Sequence, residues 1–271
     1  MYKTITMFAT AAIAFALAAG PAAAQKSTWD EIKSSGKLNM CVVEGHAYFG
    51  TEKDGYPGFA AVMGRDLATH LKVEPAYHKV NATTRILDLQ AGRCVVIWGL
   101  NQTPERWMAV DFAGPMWKFS YMAVTKKGFN PGNNWQDFNK PTITLGAPTG
   151  TADALAARKY APDAQFSALV RQEDATLAVQ AGRIDAMIAT SLIALDAYKK
   201  NPGLGNFIAL KPEYGLAAYA AVKKESDTRF REYVQNWSNY NKELGNFEAW
   251  IKEQLARDGI KPEDIPPEIQ F

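Results

Sequence analysis

The chain has 271 residues, 47% hydrophobic and 21% charged, with a formal net charge of +2. A near-neutral chain without a basic run gives no case for nucleic acid or an anionic membrane surface as partner. Its composition is that of an ordinary globular protein, with no low-complexity tract.

The opening segment "MYKTITMFATAAIAFALAAGPAAAQ" carries one early charge, Lys3, and then an apolar run. It closes on Ala22-Ala23-Ala24, the small-residue pattern of a signal peptidase site. Residues 1–24 are therefore expected to be a signal peptide cut after Ala24, sending a soluble chain to the periplasm. The apolar stretch is short, Ala-rich and interrupted at Gly20-Pro21, which does not fit a membrane anchor. What remains is enough for one large or two small domains.

In chain order, "TWDEIKSSG" predicts a helix capped by Thr28 and stopped at Gly36, and "KLNMCVVEG" predicts a strand. "GFAAVMGRDLATHLK" has helical apolar spacing, "VEPAYHKV" reads as strand, "ATTRILDLQAG" as helix and "CVVIWGL" as strand. This β-α-β-α-β order implies a parallel sheet flanked by helices, whose ligands sit at the carboxyl ends of the strands. "TITLGAP" restarts the pattern. The helices "GTADALAARKYAP" and "EDATLAVQAG", the strand "IDAMIAT" and the helix "SLIALDAYKKNPG" follow.

The tetrapeptide QAGR occurs at 90–93 and again at 180–183. Each copy ends a helix on glycine, which takes the left-handed cap conformation cheaply, and feeds a buried strand. Arg93 and Arg183 read as solvated helix-end cations, so the repeat is scaffold rather than a site. Between the halves lies "MWKFSYMAVTKKG", and after the second lies "EYGLAAYAAVKKES". These are expected to pair as two crossover strands between lobes. Lobe 1 would comprise 25–120 and 216–271, including the helices of "RFREYVQNWSNYNKELG" and "NFEAWIKEQLARDG". Lobe 2 would comprise 121–215.

Cys41 and Cys94 are the only cysteines. In an exported chain they can form one disulfide, but both sit in apolar strand-like runs where a free cysteine packs as a small hydrophobe. Both readings stay open. His46, His70 and His78 show no metal-ligand spacing, and no metal or cofactor is expected. No G-x-S-x-G, H-E-x-x-H or phosphate-type glycine loop occurs, so no catalytic residue is assigned.

The stretch "WGLNQTPERWMAVDFAGPMW" resembles the signature of the periplasmic solute-binding proteins of polar amino-acid ABC transporters (bacterial extracellular solute-binding proteins, family 3). The matching positions are Thr103, Glu105, Arg106, Val110, Asp111, Phe112 and Pro115. "WDEIKSSGKLNMCV", "GFAAVMGRDLA", "QAGRIDAMIA" and "DGIKPEDIPPEIQF" are similar to further family segments in the same order. The resemblance implies an α/β, two-lobed type II periplasmic binding fold. Each lobe would be a mostly parallel sheet flanked by helices, with the two crossover strands as hinge. It also implies a monomer that closes on a small carboxylate-bearing or amino-acid-like ligand and docks on a membrane permease.

By that likeness Arg106 takes the ligand carboxylate, which suits a guanidinium fork that stays charged at working pH. Thr149, Gly150 and Thr151 precede a helix, whose N-terminal N–H groups favour an anion. They would form a second carboxylate clamp, with the Thr151 hydroxyl as a further donor. Plain capping by these threonines is the competing reading. Asp153 is assigned to the helix's first turn. Gly99 and Asn101 line the same strand end, Trp98 and Tyr48 offer an aromatic wall, and Glu44 is placed to read the ligand's distal group.

The sequence departs from the pattern after the second-lobe strand. Many amino-acid binders have an aspartate there; alignment on "GRIDAMIATSL" puts Thr190 in its place. A hydroxyl cannot offset a buried ammonium. Either another acid such as Glu44 supplies the charge, or the ligand is not a standard α-amino acid. Two alternative functions use the same scaffold: a cyclohexadienyl or arogenate-type dehydratase with Glu44 as general acid, and a ligand-sensing partner of a membrane receptor.

Overall fold

The computed structural model describes residues 26–261 and residue 265. The expected signal peptide and most of the closing "PEDIPPEIQF" lie outside the described residues. The first half comprises α1 Thr28–Ser35, β1 Lys37–Val43, α2 Phe59–Leu71, β2 Glu74–Val80, α3 Arg85–Gln90, β3 Val96–Asn101, α4 Pro104–Ala109 and the long β4 Val110–Thr125. The second comprises α5 Trp135–Phe138, β5 Thr144–Pro148, α6 Ala152–Tyr160, β6 Gln165–Leu169, α7 Gln172–Gln180, β7 Ala186–Thr190 and α8 Ser191–Lys200. The chain then continues as β8 Phe207–Ala209, β9 Gly215–Lys223, α9 Arg229–Glu243 and α10 Asn246–Arg257.

The strand order is β2-β1-β3-β9-β4-β7-β5-β6, with β8 pairing on β4. β2, β1 and β3 are parallel, as are β6, β5 and β7. β4 and β9 run antiparallel between the two sets. The switch of partner is sharp: Ser120 of β4 opposes Gly215 of β9, and the next residue, Tyr121, opposes Thr190 of β7.

Alternation along β1 explains its place in the middle of the first set. Leu38, Met40 and Val42 face one core with Phe59, Met63 and Leu67 of α2, Trp98 of β3 and Phe230 and Val234 of α9. Cys41 faces the other side, with Leu89, Cys94 and Ile97. The second set packs Leu145 and Ile188 with Trp135, Phe138 and Ala152, Ala156 and Ala157 of α6. Cys41 and Cys94 are joined in a disulfide, with their Cα atoms 5.3 Å apart, so of the two sequence readings the bonded one holds.

Both QAGR glycines take the left-handed conformation, φ 71° at Gly92 and 68° at Gly182. Arg93 is not simply solvated; it pairs with Asp88. The α1 cap is Ser27, not Thr28, because the Ser27 hydroxyl accepts the Asp30 N–H at 3.2 Å. The strands β6 and β8 and the one-turn helix α5 were not legible from periodicity, being too short to repeat a pattern.

Candidate functional site

A cavity of about 430 Å³ opens where the carboxyl ends of the two parallel strand sets face each other. From the first set come the loop after β1, the loop between β2 and α3, and the end of β3. From the second come the β5–α6 loop, the start of α7 and the end of β7. This is the strand-end crevice at which α/β sheets bind ligands.

Seven of the ten expected residues line it: Glu44, Tyr48, Trp98, Gly99, Asn101, Thr151 and Thr190. Tyr48 is buried against Phe59, with ring centroids 5.0 Å apart, and its hydroxyl meets Thr190 Oγ1 at 3.3 Å. Trp98 lines the cavity from the core, 5.5 Å from Trp237. The Asn101 side chain is held to β9 through donations to the Leu216 and Ala217 carbonyls.

Arg106, Thr149 and Gly150 do not line the cavity, and the reason is visible in their bonding. α4 begins on a Pro104 turn capped by Thr103, which points Arg106 back toward the strand end. Its guanidinium donates to the Asn101 carbonyl at 2.7 Å and to the Gly150 carbonyl at 2.8 Å. It therefore bridges the two strand sets beside the cavity rather than projecting into it. The expected backbone clamp is also committed: the Thr149 amide donates to Leu169 at 2.9 Å. The Thr151 hydroxyl donates to Pro148 at 2.7 Å and accepts the Ala154 N–H at 3.2 Å. The capping reading of Thr151 holds, and its hydroxyl is no spare donor.

Glu44 belongs to the mouth. It is exposed and pairs with Lys79 at 2.7 Å, which holds its carboxyl below the usual range. Such a group neither neutralises a buried ammonium nor serves as a general acid near neutrality.

The structure brings in groups that the sequence reading passed over. Arg85, the first residue of α3, is half-buried and lines the cavity, and its buried Nε has no hydrogen-bond partner. Burial, and then the neighbouring Arg106 charge, hold it down to about 10. Asp153 on the first turn of α6 is 6% exposed, lines the cavity, and leaves Oδ1 unpartnered. Burial pushes its carboxyl up to about 7, against the opposing pull of Arg85 and Arg106. The Thr190 backbone also favours its charged form, so Asp153 lies beside the position where an acid was expected. His46 stays neutral, lowered to about 3 by burial.

The placement of Asp153 in a helix's first turn did not separate a dipole partner from a cavity group. Both descriptions apply. Among the described residues, no cluster of three or more His, Cys, Asp or Glu is placed to hold a metal, and no helix is long and apolar enough to cross a membrane.

Residues 38–249 match the bacterial extracellular solute-binding proteins, family 3. The chain belongs to this family. This family 3 member is 25% identical over 182 residues to the arginine-binding extracellular protein ArtP of Bacillus subtilis, covering 65% of this chain and 69% of that protein. It is also similar to the crystal structure of the ancestral amino acid-binding protein AncCDT-1, described as a precursor of cyclohexadienyl dehydratase. That match has 26% identity and a TM-score of 0.75, over 84% of this chain and 99% of that one. An amino acid ABC transporter substrate-binding protein from Streptococcus pneumoniae, bound to L-arginine, matches at 24% identity and TM-score 0.76. It covers 85% of this chain and 98% of its own, a likeness of fold. The fold of this family 3 protein is that of the type II periplasmic binding proteins.

Proposed function

We propose that this chain is an exported receptor of an ABC importer, which captures a small carboxylate-bearing polar solute between two lobes that close about β4 and β9. The observation that carries this reading is the cavity itself. It is lined from both strand sets, and two of its charged lining residues, Arg85 and Asp153, each carry a buried polar atom without a partner. Buried polar groups are ordinarily satisfied, so unpaired ones on charged residues that line a cavity support an occupant that completes the site.

The change of partner between Ser120 and Tyr121 supports lobe boundaries at 25–120 with 216–271 and at 121–215. In an open cleft Gly150 moves away from Arg106 and frees part of its guanidinium for an incoming carboxylate. Closure then shifts the population by the ligand's differential affinity for the shut form. The disulfide fits an oxidising periplasm, and the closed monomer would dock on the membrane permease. Binding rather than catalysis is the reading, because the acid considered for a dehydratase, Glu44, is exposed and ion-paired.

Thermal-shift screening of the mature chain against amino acids and small carboxylates tests the proposal. A true ligand at 100 times its Kd stabilises by about 2.7 kcal/mol, several degrees for a protein of this size. Arg106→Ala is expected to weaken the hit at least about 30-fold. A panel that produces no shift sinks the receptor reading; unchanged affinity in Arg106→Ala removes this arginine from it.

A further inference from the structure

We propose that the cavity selects a solute of net negative charge, a small carboxylate that also carries a hydrogen-bond donor, and discriminates against cationic amino acids. This rests on the reading of the cleft as the ligand site, and it sets the protein apart from its arginine-binding relatives.

The charges around the cavity fall into two groups. At the mouth, Glu44 and Glu173 are balanced by Lys79 and Arg171, all four exposed. Lys79 is further paired with Glu52 at 2.6 Å, and Arg171 with Asp174 at 3.0 Å. Charges so exposed are screened and add little to selectivity. The interior is different. Arg85 reaches the cavity directly and Arg106 stands beside it, close enough for its charge to act on Arg85. Against these two cations the cavity offers one acid, Asp153.

Even a fully ionised Asp153 leaves one of the two cations without a buried counter-charge, because the other acid acting on Arg106, Glu105, is exposed. A protonated Asp153 leaves two. Uncompensated charge in a poorly solvated site is costly, and an anionic occupant relieves that cost while a cationic one adds to it. The two charged side chains that line the interior set the arrangement. The Arg85 guanidinium donates to a ligand carboxylate, and the Asp153 carboxylate accepts from an ammonium or hydroxyl on the same molecule. The side chain of arginine or lysine would bring a further cation toward Arg85 and Arg106.

Calorimetric titration of the mature chain with L-glutamate, L-aspartate, L-lactate, L-glutamine, L-arginine and L-lysine tests this. The first two supply an ammonium as donor and lactate a hydroxyl, so the strongest of the three also identifies the donor. At least one anion is expected to bind at least about 30-fold tighter than glutamine, arginine or lysine. Arg85→Gln should abolish that preference and Arg85→Lys restore part of it, with unchanged ligand-free melting showing that both fold. If glutamine, arginine or lysine binds as tightly as the best anion, the charge assignment falls while the receptor reading stands. Unchanged anion affinity in a folded Arg85→Gln overturns it equally. Binding of none of the three anions overturns the charge assignment, and the wider thermal-shift panel decides the receptor reading by itself.

Discussion

The Tyr48 hydroxyl stands 3.3 Å from Thr190 Oγ1, joining the loop after β1 to the end of β7 across the cavity. Both residues are buried, and Tyr48 is fixed on its other side by Phe59 and by Trp117, whose ring lies 5.9 Å away. The bond links residues on opposite sides of the cavity, so under the proposed closure it belongs to the shut form. Tyr48→Phe keeps the ring packing and removes the hydroxyl. A net hydrogen bond is worth about 1 kcal/mol, so ligand affinity is expected to fall about five-fold. Ligand-free stability should move less. Titration of wild type and variant side by side checks this, and equal affinities would show that the pair does not hold the cleft closed.

Asp153 and His46 give ligand-free stability two opposing pH dependences. The Asp153 carboxyl is raised to about 7 by burial despite Arg85 and Arg106, so the folded state keeps a proton that the unfolded chain loses near 4. Its contribution is fullest below about pH 4 and declines as pH rises to about 7. Tyr48 and Tyr121 also face this carboxyl and stay neutral throughout, both raised chiefly by burial. His46 is lowered to about 3, and its Nδ1 accepts the Tyr48 N–H at 3.2 Å. The folded state there refuses a proton that the unfolded chain takes near 6.5, so its contribution is lost as pH falls from about 6.5 to about 3. Between about 4 and 6.5 the two slopes offset. Asp153→Asn removes the falling one: the variant should gain stability more steeply over that window and exceed wild type at about pH 8. Melting curves across pH, without ligand, decide it; parallel curves for the two proteins would mean that Asp153 titrates normally.

How much of this was legible in the sequence depends on the length of the pattern. The α2 segment has four turns of apolar spacing, and the TPER turn carries its own punctuation in Thr103 and Pro104, so both were readable with their positions. The strand ends that line the cavity followed, including Gly99, Asn101 and Thr190. What local pattern could not convey is which way a side chain faces once the halves meet. Arg85 reads as one more cation on a short helix, and only the approach of α6 and α3 makes it a cavity group. Asp153 reads as a first-turn acid for the same reason. Conversely, the TPER turn puts Arg106 just beyond the end of β3, but the bond from its guanidinium to the Gly150 carbonyl depends on a contact 44 residues away. One cue was available: Arg85 and Asp153 both sit immediately after the turn that follows a strand, where cavity residues of α/β sheets arise.

Gly99 shows how the backbone makes room for Tyr48. The β3–β9 register shifts between Ile97 and Leu100, and Gly99 inside that bulge has φ 75°. A Cβ there would stand 3.0 Å from Tyr48 Cε2 and 3.1 Å from Trp117 Cζ2. Gly99→Ala thus combines a left-handed backbone penalty of about 1–2 kcal/mol with overpacking of about 1–3 kcal/mol. A loss of about 2–5 kcal/mol in urea unfolding is expected, with the slope unchanged. Because the ring that must move is Tyr48, ligand affinity should fall as well. A variant of wild-type stability would show that the ring yields freely.

The disulfide closes a loop spanning 53 positions and ties β1 to the approach of β3, the two strands whose ends carry the loop bearing His46 and Tyr48 and the turn bearing Arg106. Loop-closure entropy for a link of that span corresponds to about 4 kcal/mol. Cys41→Ala with Cys94→Ala leaves two small apolar side chains in a core with Leu89 and Ile97, so the packing loss is modest beside the entropic one. The double variant is expected to unfold at lower urea, by an amount near that figure, and to be insensitive to reductant, whereas wild type in reductant should move toward it. Ligand affinity should change little, because β1 and β3 remain hydrogen-bonded at Met40 and Cys41 to Val96 and Ile97. A large loss of affinity with little loss of stability would reverse this assignment, making the bond a device that positions the strand ends rather than one that constrains the unfolded chain.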